Sequence, residues 1–247
     1  MSIAIIGGSG LTALEGLEIQ RQQMQKTPYG EPSGPLTFGL LNNREIIFLP
    51  RHGNPHIIPP HEINYRANVW ALRENGVEDI IAINAVGGIT SEMSPGKLVI
   101  PDQLIDYTWS RQHTFFVKND KEVVHVDFTV PYTPSLRQQI LRAAKSISVD
   151  CIDGGTYGAT QGPRLETAAE ILRMESDGCD LVGMTGMPEA VLARELDLNY
   201  ACISVVANWA AGKSDELISM ESIQEYLHKG MGKVRTLLSA TIKDNRT

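Results

Sequence analysis

The sequence predicts one α/β domain over residues 1–247, a mixed or parallel sheet with helices on both faces. Three observations predict it. Short apolar, β-favouring runs alternate with segments of helical spacing through most of the chain. Strand after strand ends in small or polar residues: Gly7–Gly10, Arg51-His52, Asn84–Val86, Met184-Thr185 and Asn208. A core-only protein has no need of that pattern, and in such sheets the ligand site lies beyond the carboxyl ends of the strands. Finally, 42% hydrophobic and 21% charged residues form an ordinary globular composition, with no repeat, low-complexity tract or linker to divide it.

The first strand is Ile3-Ala4-Ile5-Ile6, four apolar residues that run into Gly7-Gly8-Ser9-Gly10. A polar stretch and the Pro/Gly-rich loop 28–35 follow. Leu36–Leu41 and Glu45–Leu49 flank Asn42-Asn43-Arg44 as a hairpin, and the second arm runs into Pro50-Arg51-His52-Gly53. Glu62–Asn75 is helical, with Ile63, Ala67, Trp70 and Ala71 on one face and Gly76 as its stop. Asp79–Asn84 is a strand ending in Ala85-Val86-Gly87-Gly88, and Lys97–Ile100 follows a turn. Residues 107–130 are irregular and aromatic, a long excursion rather than core. Ser135–Ser148 is a helix, Cys151–Thr160 a strand stopped by Gly162-Pro163, Leu165–Asp177 a helix and Asp180–Met184 a strand. Pro188–Leu196 is a helix with Pro in its first turn, Tyr200–Ala207 a strand, and Ser219–Lys243 a closing helix with a weak point at Gly230 or Gly232.

The net charge of −7 speaks against a general nucleic-acid binder, which is normally basic. No apolar run approaches the roughly 20 residues that span a bilayer. Met-Ser leads directly into a strand, without the basic segment or cleavage site of a signal peptide. Cys151, Cys179 and Cys202 are far apart, without CxxC or metal spacing, and read as reduced, buried thiols of a cytoplasmic protein.

The Gly7–Gly10 loop is built to bring backbone N–H groups and the Ser9 hydroxyl close to an anion. It lacks the GxGxxG spacing of a dinucleotide fingerprint, since Thr12 and Ala13 stand where that pattern continues and no acidic residue ends a second strand. A phosphate cradle and a ligand-free turn remain. Arg51 adds a rigid, permanently charged fork suited to phosphate oxygens. His52, His56 and His61 have spacings that suggest metal, but Pro55, Pro59 and Pro60 prevent a shared helical face and no carboxylate or cysteine joins them. Glu166 and Thr167 stand at a helix start, where capping is the ordinary use of either. Met184-Thr185 and Asn208 are strand ends that core packing or turn formation would also explain.

Taken together, GGSGL, RHG with its following histidines, NAVGG, GTYGATQGPRLET, VGMTGMPEAVLARE and VVAN resemble, in order and spacing, the purine nucleoside phosphorylases of the trimeric type, most closely the methylthioadenosine phosphorylase branch. The resemblance covers nearly the whole chain. It implies a distorted sheet flanked by helices, a homotrimer, no metal or organic cofactor, and attack of inorganic phosphate at C1′ of a nucleoside. It further implies phosphate binding by Ser9, Arg51, His52, Asn84, Ala85 and Thr185, with Ser9, Arg51 and Asn208 carrying the catalysis. Asn84 departs from the branch, where threonine or serine is usual, although an amide N–H still donates. Met184 resembles the methionine under the ribose, and His125 the histidine lent to a neighbouring subunit's 5′ pocket. The roles of His56 and His61 stay open between loop packing and substrate contact.

Three departures bear on the substrate. The adenine-reading branch carries aspartates where Asn208 and Ala210 stand here. An asparagine amide donates to a 6-oxo group and accepts from a protonated N7, whereas a buried carboxylate facing O6 costs on the order of 1–3 kcal/mol. Glu166, next to Leu165, matches the glutamate of the oxopurine enzymes, whose carboxylate accepts N1–H. Met220 and Ile223 put apolar side chains where those enzymes place a histidine facing the 5′-hydroxyl. A 6-oxopurine nucleoside with an apolar 5′ group is expected, a description that S-methyl-5′-thioinosine fits. Methylthioadenosine, or inosine and guanosine without a 5′ preference, are the alternatives, and a non-catalytic nucleoside sensor is the alternative of another class.

Overall fold

The computed structural model describes residues 2–117, 123–215 and 217–243. In chain order the elements are β1 (Ser2–Gly7), β2 (Glu18–Gln23), β3 (Leu36–Leu41), β4 (Arg44–Pro50), α1 (Tyr65–Glu74), β5 (Val77–Gly88), β6 (Leu98–Ile100), β7 (Gln103–Asp106), α2 (Pro134–Ser146), β8 (Cys151–Asp153), β9 (Thr156–Ala159), α3 (Ala168–Ser176), β10 (Leu181–Gly183), α4 (Gly186–Glu195), β11 (Asn199–Trp209) and α5 (Met220–Lys243). The strands form one mixed sheet with helices on both faces, as the alternation predicts. The continuous apolar run of β1 has a simple cause. It lies between parallel neighbours β4 and β5 and is covered on both faces. Ile3 and Ile5 join the cluster that holds Ile140 of α2 and Val234 and Leu238 of α5, while Ala4 and Ile6 join the one that holds Val69 of α1 and Leu192 of α4.

The sheet forks along β5. On one side β1 accompanies it only as far as the Ile6–Ala82 pair, and β10 takes over, antiparallel, at Gly87 and Gly88. Residues 83–86 between them have no strand on that edge. On the other side β11 follows β5 throughout, with an irregularity between Val206 and Asn208. The gap between the end of β1 and the start of β10 is an opening at a place where chain direction switches, where sheets of this kind bind ligands.

Several elements differ from expectation. The helix expected from Glu62 starts at Tyr65, because the Asn64 side chain accepts from Ala67 N and caps it there. The strand expected to stop at Asn84 runs on to Gly88, since β10 and β11 supply partners there. The expected strand 151–160 is two, β8 and β9, broken at Gly154-Gly155. Strand β11 continues past Ala207 to Trp209, so Asn208 sits at a bulge inside it. Strands β2 and β7 carry no apolar alternation and were not foreseen; every residue of β2 is exposed. Helix α5 passes through Gly230 without a break. A Cβ there would stand 2.3 Å from Val205 Cγ1, so that glycine lets the helix lie close on the sheet.

Candidate active site

The fork opens into a cleft of about 310 Å³. Ser9, Arg51, His52, Asn84, Ala85, Leu165, Glu166, Met184, Thr185, Asn208, Ala210, Met220 and Ile223, all singled out in the sequence, line it together. Ends or bends of β1, β4, β5, β10 and β11 deliver most of them, and the start of α5 delivers the last two. His125 is the exception; it is exposed and does not line the cleft. His56 and His61 do not line it either.

At the floor, the end of β1 leaves the Ile83 carbonyl without a ladder partner, and Arg51 Nη1 donates to it at 2.8 Å. Gly8 makes this possible, for a Cβ there would sit 2.4 Å from Ile83 O and 2.8 Å from Arg51 Nη1. The Arg51 fork, expected to be spent on an anion, is largely occupied by protein. Its Nε and Nη2 each donate to Glu189 at 2.7 Å, and Nη2 also donates to Asn84 Oδ1 at 3.2 Å. Of five guanidinium N–H groups, one on Nη1 has no bond among the described residues. Both side chains of the pair are fully buried. Burial alone would lower the Arg51 pKa; the Glu189 carboxylate outweighs it and raises it. Tyr200 also donates to Glu189 Oε1, at 2.8 Å.

His52 donates from Nδ1 to Ile58 O at 2.8 Å and stacks on His56 at 4.2 Å. Burial, reinforced by the Arg51 charge, pushes its pKa down to about 4, so the ring is neutral near pH 7. With the proton on Nδ1, Nε2 accepts and does not donate, so His52 offers the cleft a lone pair rather than a charge. His56 has a packing role, its ring lying against His52. Asn84 Nδ2 reaches Tyr157 Oη at 3.4 Å, as does Thr185 N. Ser9 Oγ has no protein partner among the described residues.

On the opposite wall, Glu166 does not cap a helix. Thr167 is the N-cap of α3 and closes a capping box with Glu170, so Glu166 stays just outside the helix and turns to the cleft. Thr160 Oγ1 donates to Glu166 Oε1 at 2.6 Å, leaving Oε2 as an acceptor. Asn208 Nδ2 donates to Trp209 O at 2.7 Å, which leaves its second N–H and its Oδ1. Ile218 joins Met220 and Ile223 to make an apolar wall, although Met220 is 64% exposed. Ile218, Pro60 and Pro163 also line the cleft, beyond the residues the sequence singles out. Ile218 had a signal, an apolar residue two positions before Met220; the prolines had none beyond loop composition.

Comparison with known proteins places the chain in a family. The profile of the Phosphorylase superfamily matches residues 2–243. A probable S-methyl-5′-thioinosine phosphorylase of Pseudomonas syringae pv. tomato is 54% identical over 239 residues, covering 97% of either chain. A 6-oxopurine nucleoside phosphorylase of Pyrococcus furiosus is 47% identical over 245 residues, covering 97% of this chain and 91% of the relative. Methylthioadenosine phosphorylase from Schistosoma mansoni, solved with adenine, superimposes with a TM-score of 0.94 at 34% identity, over 98% of this chain and 90% of that one.

Proposed function

The chain belongs to the Phosphorylase superfamily, and on that premise we propose that it cleaves S-methyl-5′-thioinosine with inorganic phosphate, giving hypoxanthine and 5-methylthioribose 1-phosphate. The observation that carries this reading is the pairing of Glu166 with Asn208 in one cleft whose remaining wall, Ile218, Met220 and Ile223, is apolar. Glu166 Oε2 accepts N1–H, which hypoxanthine has and neutral adenine lacks. Asn208 donates to O6 or accepts from a protonated N7. The apolar side chains suit an S-methyl group better than a hydroxyl.

The reaction is a redox-neutral exchange at C1′ and needs no cofactor. The bond from C1′ to N9 breaks with its electron pair on the base, a bond from C1′ to a phosphate oxygen forms, and the proton of monohydrogen phosphate balances the one the base takes up. Positive charge develops on the ribose and is met by the phosphate dianion; negative charge develops on the purine and is met by the Asn208 donor. Ser9 Oγ, the remaining Arg51 N–H and the remaining Asn84 N–H hold the phosphate. The lone pair of His52 Nε2 takes the hydroxyl of monohydrogen phosphate, Thr185 and the backbone at Ala85 complete the cradle, and Met184 carries the ribose. Leu165 and Ala210 shape the space for the base. The chain acts as a homotrimer in the cytoplasm, His125 serving the 5′ end of a neighbouring site. Its exposure, with Val123 and Val124 exposed beside it, supports that role. No helix among the described residues is long and apolar enough to cross a membrane.

A second reading keeps the 6-oxopurine base and drops the 5′ preference; the exposure of Met220 favours it. A specificity panel separates the two. Release of hypoxanthine should require phosphate, and kcat/KM should be highest for methylthioinosine. Inosine matching methylthioinosine would favour the second reading. Methylthioadenosine outrunning both would sink the base assignment.

A further inference from the structure

Arg111 lies in the irregular stretch after β7 and does not itself line the cleft, yet it is only 8% exposed. Its guanidinium gathers backbone carbonyls from three separate pieces of chain. Nη2 donates to Thr160 O at 3.1 Å and Gln161 O at 2.7 Å, just beyond the end of β9. Nη1 donates to Met184 O at 2.8 Å, just beyond β10, and to Met187 O at 2.6 Å in the first turn of α4, with Tyr65 Oη at 3.3 Å. Nε donates to Gln161 Oε1 at 3.1 Å. Every acceptor is neutral. The other two most buried arginines, Arg51 and Arg137, have carboxylate partners in Glu189 and Asp153; Arg111 has none among the described residues.

A buried cation without a counter-charge is costly, and carbonyl dipoles converging on it are the available compensation. The guanidinium therefore fixes the relative position of the segments that own those carbonyls. Two of the segments carry cleft residues. Met184 itself lines the cleft. Thr160, whose carbonyl is held by Nη2, turns its hydroxyl to Glu166 Oε1 at 2.6 Å. The path from Arg111 to Thr160 to Glu166 is two hydrogen bonds long, and that from Arg111 to Met184 is one. Lysine cannot replace it, because its three donors radiate from a point and do not span the two strand ends.

We propose that Arg111 is a positioning residue for phosphorolysis, setting the spacing between Glu166 and Met184 and thereby the register of purine against ribose. This rests on the reading of Glu166 and Met184 given above. Misplacement of bound groups by about 1 Å costs on the order of 100-fold in rate. Arg111→Lys and Arg111→Ala should therefore lower kcat/KM for the nucleoside by roughly that factor. The KM for phosphate should change less than kcat/KM for the nucleoside, because Ser9, Arg51 and Asn84 stand on other strands and, of the proposed phosphate contacts, only Thr185 follows a carbonyl that Arg111 holds. The ratio of kcat/KM for the 6-oxopurine over the 6-aminopurine nucleoside should fall in both variants, and added guanidinium ion should restore part of the lost rate and ratio to the alanine variant.

Thr160→Val, which leaves Arg111 in place, should reproduce the loss of base discrimination alone, and it serves if the Arg111 variants do not fold. Wild-type rate and base ratio in folded Arg111→Lys would overturn the proposal. So would an unchanged base ratio in Thr160→Val. Wild-type protein that releases no base with phosphate would instead sink the functional reading beneath it.

Discussion

Asn208→Asp removes one donor from the base wall and puts a second acceptor in its place. In the structure the Asn208 amide is half-buried and its Nδ2 lies 2.7 Å from Trp209 O. A carboxylate cannot keep that bond, since two oxygens would then face each other. With a 6-oxopurine bound, it also turns an acceptor toward O6. A buried acceptor left without a donor costs about 1–3 kcal/mol, which corresponds to about a 5- to 150-fold loss in kcat/KM for methylthioinosine. The 6-amino group of adenine donates, so methylthioadenosine should lose little or gain, and the ratio of the two specificity constants should shift by at least tenfold, the equivalent of about 1.4 kcal/mol. Single-substrate kinetics with chromatographic measurement of hypoxanthine and adenine reads the ratio directly. An unchanged ratio in the folded variant would mean that the base is read elsewhere and that Asn208 is a turn residue. Adding Ala210→Asp should extend the shift at a cost in stability, because Ala210 is 3% exposed among Ile89, Ile171 and Val182.

Three further outcomes follow from the packing. Glu189→Gln leaves the Arg51 charge buried and uncompensated, so urea unfolding should show a loss of about 3–5 kcal/mol; a loss below about 1 kcal/mol would mean another group holds the charge. His52 has its pKa lowered from 6.5 to about 4. The folded state thus binds fewer protons than the unfolded one in that window, and stability that is complete above pH 6.5 drains away as pH falls toward 4. The contribution is about 3 kcal/mol, and His52→Asn should flatten that limb of the stability profile. Gly230→Ala should destabilise by about 1–3 kcal/mol because of the close Val205 side chain, whereas Gly232→Ala, with nothing near its Cβ position, should stabilise by about 0.5–1 kcal/mol. Equal effects at the two glycines in thermal melts would refute the packing argument.

The strands and helices that bury a clear face are legible in the sequence, because hydrophobic period is written locally: Ile3–Ile6 and the residues of α1 and α2 are examples. Strand β2 is not, since a fully exposed edge strand has no apolar pattern to show. The site residues named from the sequence line the cleft, His125 apart, while Pro60, Pro163 and Ile218 join them without being singled out there. What stands behind the lining is not legible. Glu189 lies 138 residues from Arg51, within a run of helix formers where a glutamate ordinarily faces water. Thr160 and Arg111 act on Glu166 and Met184 through bonds that no spacing announces. The status of Glu166 also needed coordinates, for only the capping box shows that Thr167 and Glu170 have already satisfied the helix end.

The fork at β5 has a consequence for how selectivity can change. The opening is made by strand order, with β1 ending where β10 has not yet begun, so no single side chain creates it or closes it. On the proposed function the three walls lie on different lengths of chain: the phosphate side at the ends of β1, β4, β5 and β10, the purine side on the segment before α3 and on β11, and the 5′ side at the entry to α5. The first two walls share supports, since Arg111 holds both Thr160 and Met184 and Tyr200 of β11 donates to the Glu189 that holds Arg51, whereas the entry to α5 takes no part in these bonds. On the proposed function, a change between a thioether and a hydroxyl is thus an independent step, while a change of purine passes through bonds that also reach the phosphate side.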